Sequence, residues 1–137
     1  MVKKSKIIII IFIIVVVVLG GYFIVRSMTS NNEDKVQTNT NENVIKDQEV
    51  GGFQFTNTSL TYENGKSKLT IHVKNITDQD IVLQSFDIIV KDKNGKEMTT
   101  LLGYIGDTIK AGETRVITSE ENMNLMEAES INYVIHQ

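Results

Sequence analysis

The chain opens with one long apolar segment, after which apolar residues are either scattered or alternate with polar ones. From Ile7 to Val25, 19 residues carry no charged or strongly polar side chain. A helix of this length measures roughly 28 Å, close to the roughly 30 Å hydrocarbon thickness of a bilayer. Lipid imposes the helix although Ile and Val are poor helix formers in water, because the backbone must pair within the segment. The pattern predicts a transmembrane signal-anchor helix over residues 7–26, preceded by a cytoplasmic basic tail over residues 1–6.

The flanking charges predict how this helix is oriented. Lys3, Lys4 and Lys6 precede the apolar segment and only Arg26 follows it closely, and basic residues resist translocation. We therefore expect a single-pass protein of the cell membrane, with the lipid bilayer as one partner, the N-terminus in the cytoplasm and the C-terminal domain outside. Neither candidate cleavage site near the end of the segment has the alanine pair that signal peptides usually carry. Retention is the favoured prediction, and a secreted ligand-binding domain released by cleavage is the alternative.

Residues 27–50 are polar and rich in Asn, Thr, Glu and Asp, with only four scattered aliphatic residues. Such a segment does not bury enough apolar area to offset the roughly 1 to 2 kcal/mol of entropy lost for each ordered backbone residue. The composition predicts a disordered tether, which as a coil would span roughly 25 to 30 Å. Alternatively, Val44 and Ile45 begin the first strand.

The rest of the chain shows the alternation that is typical of strands. Leu69, Ile71 and Val73 point to one side of a predicted strand and polar residues point to the other, as expected where one face is buried. Asn-Gly pairs at 64–65 and 94–95 supply the positive φ angles that tight hairpin turns need. These two positions are therefore predicted to be hairpin turns.

The strand predicted from residue 81 to residue 90 has apolar residues on both faces, which indicates a central strand or one with a bulge near Gln84-Ser85. Val82, Phe86, Ile88 and Val90 are expected on one face, and Ile81, Leu83 and Ile89 on the other. Only residues 119–130 have the pattern of a short helix or a loop. Together these patterns predict an all-β, two-sheet sandwich of about seven strands in residues 51–137.

Three segments of this region carry a resemblance to a known family, namely LTIHVKNITDQDI, FDIIVKDKNGKEM and IKAGETRVIT. One strand ends in Asn followed by small polar residues, the next ends in an Asp-x-x-Gly hairpin, and a Gly-Glu turn opens a later strand. In these features residues 53–135 resemble the FxLYD-type and related immunoglobulin-like domains of bacterial cell-surface proteins. The literal signature is absent, and FDIIVKD at residues 86–92 is its nearest counterpart. The resemblance implies an extracytoplasmic immunoglobulin-like β-sandwich over residues 51–137, which serves as an accessory or interaction module without catalysis.

Composition removes several kinds of chemistry. The chain contains no cysteine, which excludes disulfides, thiolate metal sites and thiol nucleophiles. The formal net charge is −3, and no basic face is available for nucleic acid. His72 and His136 lie opposite the apolar stripes of their strands, and nothing nearby has the spacing of a zinc site. We predict no catalytic, cofactor-binding or metal site, and a cell-envelope hydrolase that uses paired carboxylates is a further alternative.

Candidate binding residues are apolar side chains that fall opposite the main core stripe or in the segment LLGYIGD. Exposed apolar strips mark interfaces, and the alternative is that these residues form the core of the second sheet. The expected function is a non-catalytic binding or assembly module, which displays its sandwich near the outer face of a bacterial membrane and contacts another membrane or envelope protein. The candidate interface consists of Ile81, Leu83, Ile89, Leu101, Leu102, Tyr104 and Ile105.

Overall fold

Eight strands follow one another in residues 35–137, the range that the computed structural model describes. They are β1 (Gln37–Asn39), β2 (Gln48–Val50), β3 (Phe53–Glu63), β4 (Lys66–Asn75), β5 (Ile81–Lys91), β6 (Glu97–Ile109), β7 (Thr114–Glu121) and β8 (Ser130–His136). The first sheet has the order β1-β3-β4-β7, with β2 also paired to β3, and the second sheet has the order β6-β5-β8. All pairings are antiparallel.

The predicted all-β fold with two sheets is confirmed for residues 35–137, in which no helix occurs. Residues 51–137 contain six strands rather than the predicted seven or so, and two further short strands precede residue 51. Residues 122–129 are turns and loop, which decides between the two forms expected there. The predicted basic tail, the predicted transmembrane helix and residues 27–34 of the predicted tether lie outside the described residues.

The β3-β4 hairpin agrees with the sequence prediction. Leu69, Ile71 and Val73 on β4 are buried, and Asn64-Gly65 forms the two-residue turn. Both turn residues have positive φ, 51° at Asn64 and 79° at Gly65. This is the geometry of a type I′ turn, which matches the right-handed twist of the flanking strands. The predicted hairpin and the predicted buried face of β4 are confirmed.

The second predicted hairpin joins β5 to β6, and its loop is longer than two residues. Lys91 pairs with Glu97 across the turn. The Gly95 N–H donates to the Asp92 carbonyl at 2.9 Å, and the Asp92 carboxylate accepts the Asn94 N–H at 2.8 Å. An aspartate that caps its own turn in this way favours a tight reversal. The Asp-x-x-Gly pattern therefore supplies the hydrogen bonds that hold this turn.

A bulge between β5 and β6 lies where the faces predicted at the start of β5 fail. The register shifts between Leu83 and Ser85, close to the predicted bulge, but the extra residue is on β6, where Ile105 and Gly106 stand opposite Gln84. The alternation of β5 is broken at the same place, so Leu83 is buried whereas Val82 is 47 % exposed. The predicted faces of these two residues are wrong. The residues beyond the bulge that are buried as predicted are Phe86, Ile88 and Val90.

Three aromatic rings occupy the centre of the core between the sheets. Phe55 stacks on Tyr133 with ring centroids 4.1 Å apart, and it packs edge to face on Phe86 at 5.1 Å. The Tyr133 hydroxyl lies 3.3 Å from the hydroxyl of buried Thr58, and burial raises the pKa of Tyr133 to about 12. Gly103 lies opposite Phe86, and a Cβ atom at Gly103 would overlap the Phe86 ring. Glycine is thus required where this ring crosses β6.

Residues 36–50, here called the N-terminal arm, differ from the sequence expectation. They do not continue the tether but pair with β3 through β1 and β2. Val44 is buried in the core, Asn39 Nδ2 donates to two carbonyl groups of the β7-β8 connection, and Gln48 Nε2 donates to the Ile131 carbonyl at 2.7 Å. The predicted tether therefore ends before β1. Composition alone missed this because amide side chains that bond to distant carbonyls leave no periodic pattern in the sequence.

Candidate functional site

Alternation along β6 decides which residues of the predicted interface face the solvent. Leu101 and Gly103 point into the core, whereas Leu102 and Tyr104 point outward. Burial of Leu101 contradicts its assignment to an interface, and burial of Leu83 contradicts the same assignment on β5. Of the seven predicted residues, Leu83 and Leu101 are buried, Ile81, Ile89 and Ile105 are partly buried, and Leu102 and Tyr104 are exposed.

The exposed members belong to the outer face of the second sheet, which the strand registers arrange in three rows. Each row has its middle residue on β5, with one neighbour on β6 and one on β8. The rows are Tyr104, Ser85 and His136, then Leu102, Asp87 and Val134, then Thr100, Ile89 and Asn132. We call these nine residues the outer face of the second sheet.

Apolar side chains are concentrated on this face. Leu102 is 59 % exposed, Tyr104 is 67 % exposed and Val134 is 43 % exposed, while Ile89 is half-buried beside them. Neighbouring strands are about 4.8 Å apart, so Leu102 and Val134 flank β5 at a separation of roughly 10 Å. Sequence reasoning missed Val134, although the alternation of the last strand already placed it opposite Tyr133.

One polar pair lies within the apolar residues. His136 Nε2 is 3.0 Å from Asp87 Oδ2, and both side chains are partly exposed. Ser85 is the register neighbour of His136, so the residue types of a nucleophile, a base and an acid are close together. A nucleophile needs a hydrogen bond to its base, and in residues 35–137 no hydrogen bond joins Ser85 to His136. The geometry places a carboxylate beside the His136 ring.

Tyr104 lies against the backbone of its own strand. A Cβ atom added to Gly106 would overlap the Tyr104 hydroxyl and ring, so the ring extends along β6 and covers the glycine. This arrangement exposes the flat side of an aromatic ring. A glycine inside a strand often marks such a close approach, and the two glycines of LLGYIGD are the signal that sequence reasoning left unused.

The outer face of the first sheet has different chemistry. Along β4 it presents Lys68, Thr70, His72 and Lys74, and the neighbouring strands add mainly threonine and charged residues. Val116 is the exception, at 58 % exposed. Its register neighbour on β4 is His72, so it is a single apolar side chain in a polar surface. Isolated apolar residues of this kind are normal on protein surfaces.

A cavity of about 410 Å³ lies between the β5-β6 turn and the β7-β8 connection, lined by Asp92, Lys93, Met126, Glu127 and Glu129. Two of its three carboxylates bond to the protein itself. Asp92 holds its own turn, and Glu129 accepts from the Asn41 side chain. Within residues 35–137 no group of three or more metal-ligating side chains has a geometry suited to an ion. Asp92 and Glu129 thus stabilise loops.

Comparison of the chain with protein-family models, with curated proteins and with solved structures finds no match. Over residues 35–137 there is also no helix of the length and apolar character needed to cross a bilayer. Geometry alone therefore identifies the outer face of the second sheet as the candidate site.

Proposed function

We propose that this protein is a non-catalytic binding or assembly module of a bacterial cell envelope, anchored by a single N-terminal transmembrane helix with its β-sandwich outside the membrane. The sandwich contacts another membrane or envelope protein through the outer face of the second sheet. The observation that carries the proposal is the group of exposed apolar side chains at Leu102, Tyr104 and Val134. Several exposed apolar side chains on one face favour an interaction site, whereas isolated exposed residues do not.

An immunoglobulin-like assignment of the sandwich is supported by the order of its strands. Immunoglobulin-type domains place strands A, B and E in one sheet and strands F, C and C′ in the other. The chain places β3, β4 and β7 next to one another in one sheet, and β8, β5 and β6 in the other. Equating β3 with A, β4 with B and β5 with C reproduces both orders. The N-terminal arm is an addition at the free edge of β3.

The sequence features that resemble FxLYD-type domains have structural roles that agree with this assignment. Asn75, which ends β4, is buried, and its Nδ2 donates to the carbonyls of Gln79 and Ile109. The Gly-Glu turn packs on the same residue, since the Gly112 N–H donates to the Asn75 carbonyl and the Asn75 N–H donates to the Glu113 carbonyl. Two of the three motifs therefore meet at one corner of the sandwich, which supports the resemblance to FxLYD-type domains.

The chemistry of the face favours a protein partner. Residues 35–137 contain 10 basic and 15 acidic residues, so their net charge is 10 − 15 = −5, which disfavours nucleic acid and anionic lipid surfaces. Three rows on three strands give a patch on the order of 300 Å². A stable complex usually needs about 800 Å² on each partner. A contact this small is effective where the partner is held nearby, as in a shared membrane.

The proposed anchor supplies that proximity. Because β1 begins at Gln37, residues 27–36 alone separate the predicted helix from the folded domain. Two proteins confined in this way meet at a high effective concentration, so a weak contact is sufficient.

Site-specific photo-cross-linking in intact membranes tests the proposal. A photoreactive amino acid replaces Tyr104 in the full chain, and the matched control carries the same group at Val116, which is also exposed but lies on the first sheet. We expect a discrete cross-linked product from position 104 only, in a membrane fraction that resists a carbonate wash. Equal labelling from both positions would contradict the proposed face, and recovery of the chain in the soluble fraction would contradict the anchor.

A further inference from the structure

The N-terminal arm is joined to the rest of the domain by two short ladders on one edge of β3. β1 pairs with Leu60–Tyr62 and β2 pairs with Phe53–Phe55. Between the two ladders β3 contains a bulge, where Asn57 has a φ of 48°. The arm thus holds β3 through three residues at each of two places. Segments with so few ladder bonds open at lower free energy than the central strands.

The other attachments of the arm reach groups that every copy of the chain presents. Val44 fills a site in the core, Asn39 Nδ2 donates to the Met126 and Ala128 carbonyls at 3.0 Å, and Gln48 Nε2 donates to the Ile131 carbonyl. None of these bonds depends on the arm being part of the same chain. The arm of one copy therefore fits the β3 edge of another copy as well as its own.

The connection between arm and body has the form of a hinge. Gly51 and Gly52 make a two-residue turn between β2 and β3, with φ values of 58° and 84°. A Cβ atom at Gly51 would lie 2.9 Å from Ile135 Cδ1, and one at Gly52 would lie 2.9 Å from Thr77 Cγ2. The closed turn requires positive φ at both positions. Glycine also adopts extended conformations readily, so the same two residues can open.

We propose that the arm exchanges between two copies of the chain. The Gly51-Gly52 turn opens, residues 36–50 leave the β3 edge, and the arm of the second copy occupies the same edge, giving a two-fold dimer. Every arm-body contact is retained in the dimer, so no new interface has to form. A short linker keeps the arm at an effective concentration in the millimolar range. The closed monomer therefore predominates in dilute solution, and exchange becomes substantial where copies are crowded. Arm exchange goes beyond the proposed function, because it needs neither the membrane helix nor a partner on the second sheet.

Engineered cysteines in the full chain test arm exchange directly, because the natural sequence has no cysteine. Thr38 of β1 lies opposite Thr61 of β3. One copy carries Thr38→Cys and a second, differently tagged copy carries Thr61→Cys, and the two are mixed at high concentration under mild oxidation. The control mixture pairs Thr38→Cys with Thr70→Cys, a residue of β4 that β1 does not contact. We expect several-fold more disulfide-linked heterodimer from the first mixture, increasing with time and concentration.

Hinge variants give a second measurement. Gly51→Val together with Gly52→Val disfavours the positive φ angles and shifts the equilibrium towards the open arm by on the order of tenfold at each residue. The control Gly51→Asn keeps an Asn-Gly turn, which type I′ hairpins prefer. We expect more dimer from the double valine variant and none beyond the wild-type level from the control. Equal cross-linking of the 38/61 and 38/70 mixtures would overturn arm exchange, even if the chain were dimeric. If the valine variant does not fold, the cross-linking result with the native hinge decides alone.

Discussion

The outer faces of the two sheets are covered by different side chains although both sheets enclose the same core. On the first sheet, β4 presents Lys68, Thr70, His72 and Lys74 to the solvent, and Val116 is a single exposed aliphatic residue. On the second sheet, Leu102, Tyr104 and Val134 are exposed around the Asp87-His136 pair.

This difference separates what the fold requires from what it does not. The polar face of the first sheet shows that the sandwich can form with lysine and threonine pointing outward, since burial of the inner residues supplies the hydrophobic stabilisation. Exposed leucine, tyrosine and valine on the second sheet add little to folding. Their grouping on one face supports the proposed contact with a partner.

The largest expected effect lies on the inner face of the second sheet. Phe86 is fully buried and contacts two other aromatic rings, so Phe86→Ala should lower the free energy of unfolding by about 3 to 5 kcal/mol. Leu102→Ala, on the outer face of the same sheet, should change it by no more than about 0.5 kcal/mol. Urea titration of both variants measures the difference. Similar losses in the two variants would show that the two faces are not distinct.

The buried tyrosine of the second sheet should make the stability of the domain sensitive to alkali. Burial raises the pKa of Tyr133 to about 12, whereas a tyrosine in the unfolded chain ionises near pH 10. Between these values the unfolded state loses a proton that the folded state retains, so stability falls as the pH rises. The loss should reach about 2 to 3 kcal/mol by pH 12. Thermal melts at increasing pH measure this loss. The Tyr133→Phe variant should not show it, and the Tyr104→Phe variant should show it as the wild type does.

Much of the fold could be predicted because alternation and turn residues are local properties. The buried face of β4 and the Asn64-Gly65 turn needed no knowledge of the rest of the molecule. The faces at the start of β5 could not be assigned, since its alternation is broken at a bulge whose extra residue belongs to the partner strand β6. The N-terminal arm was missed because it has no alternating pattern, and the amide bonds of Asn39 and Gln48 join residues more than 80 positions apart.

The candidate site could be predicted only in part, for a related reason. Leu101 and Leu102 are adjacent and chemically alike, so the sequence does not show which of them points outward. Gly103 settles the question in the structure, because the Phe86 ring requires glycine on the inner side. Val134 joins the site only through the pairing of β8 with β5. The pairing of these two strands is set by the topology of the sheet, and the alternation within each strand does not reveal it.

A smaller effect is expected where the outer face depends on Gly106. This residue has a φ of 64°, and a Cβ atom there would overlap Tyr104. Gly106→Ala should therefore cost about 1 to 2 kcal/mol of stability and displace the ring. Gly95 also has positive φ, 74°, but nothing lies within 4 Å of its added Cβ, so Gly95→Ala isolates the backbone contribution. A change in Tyr104 fluorescence in the Gly106 variant alone would confirm the displacement, and equal spectra would contradict it.

The smallest effect on stability should come from a matched pair that tests the comparison most directly. Leu102 and Val116 are 59 % and 58 % exposed, so Leu102→Ser and Val116→Ser should each change the free energy of unfolding by less than about 0.5 kcal/mol. Their effects on binding should diverge. Leu102 shares its face with exposed Tyr104 and Val134, and removing an anchor residue of a small contact typically costs about 2 kcal/mol or more of binding free energy, whereas Val116 is a single exposed aliphatic residue on its face. Photo-cross-linking from position 104, carried out in the Leu102→Ser and the Val116→Ser variants, measures this difference in binding. Loss of the product in both variants, or in neither, would mean that the apolar group on the second sheet is not the binding face.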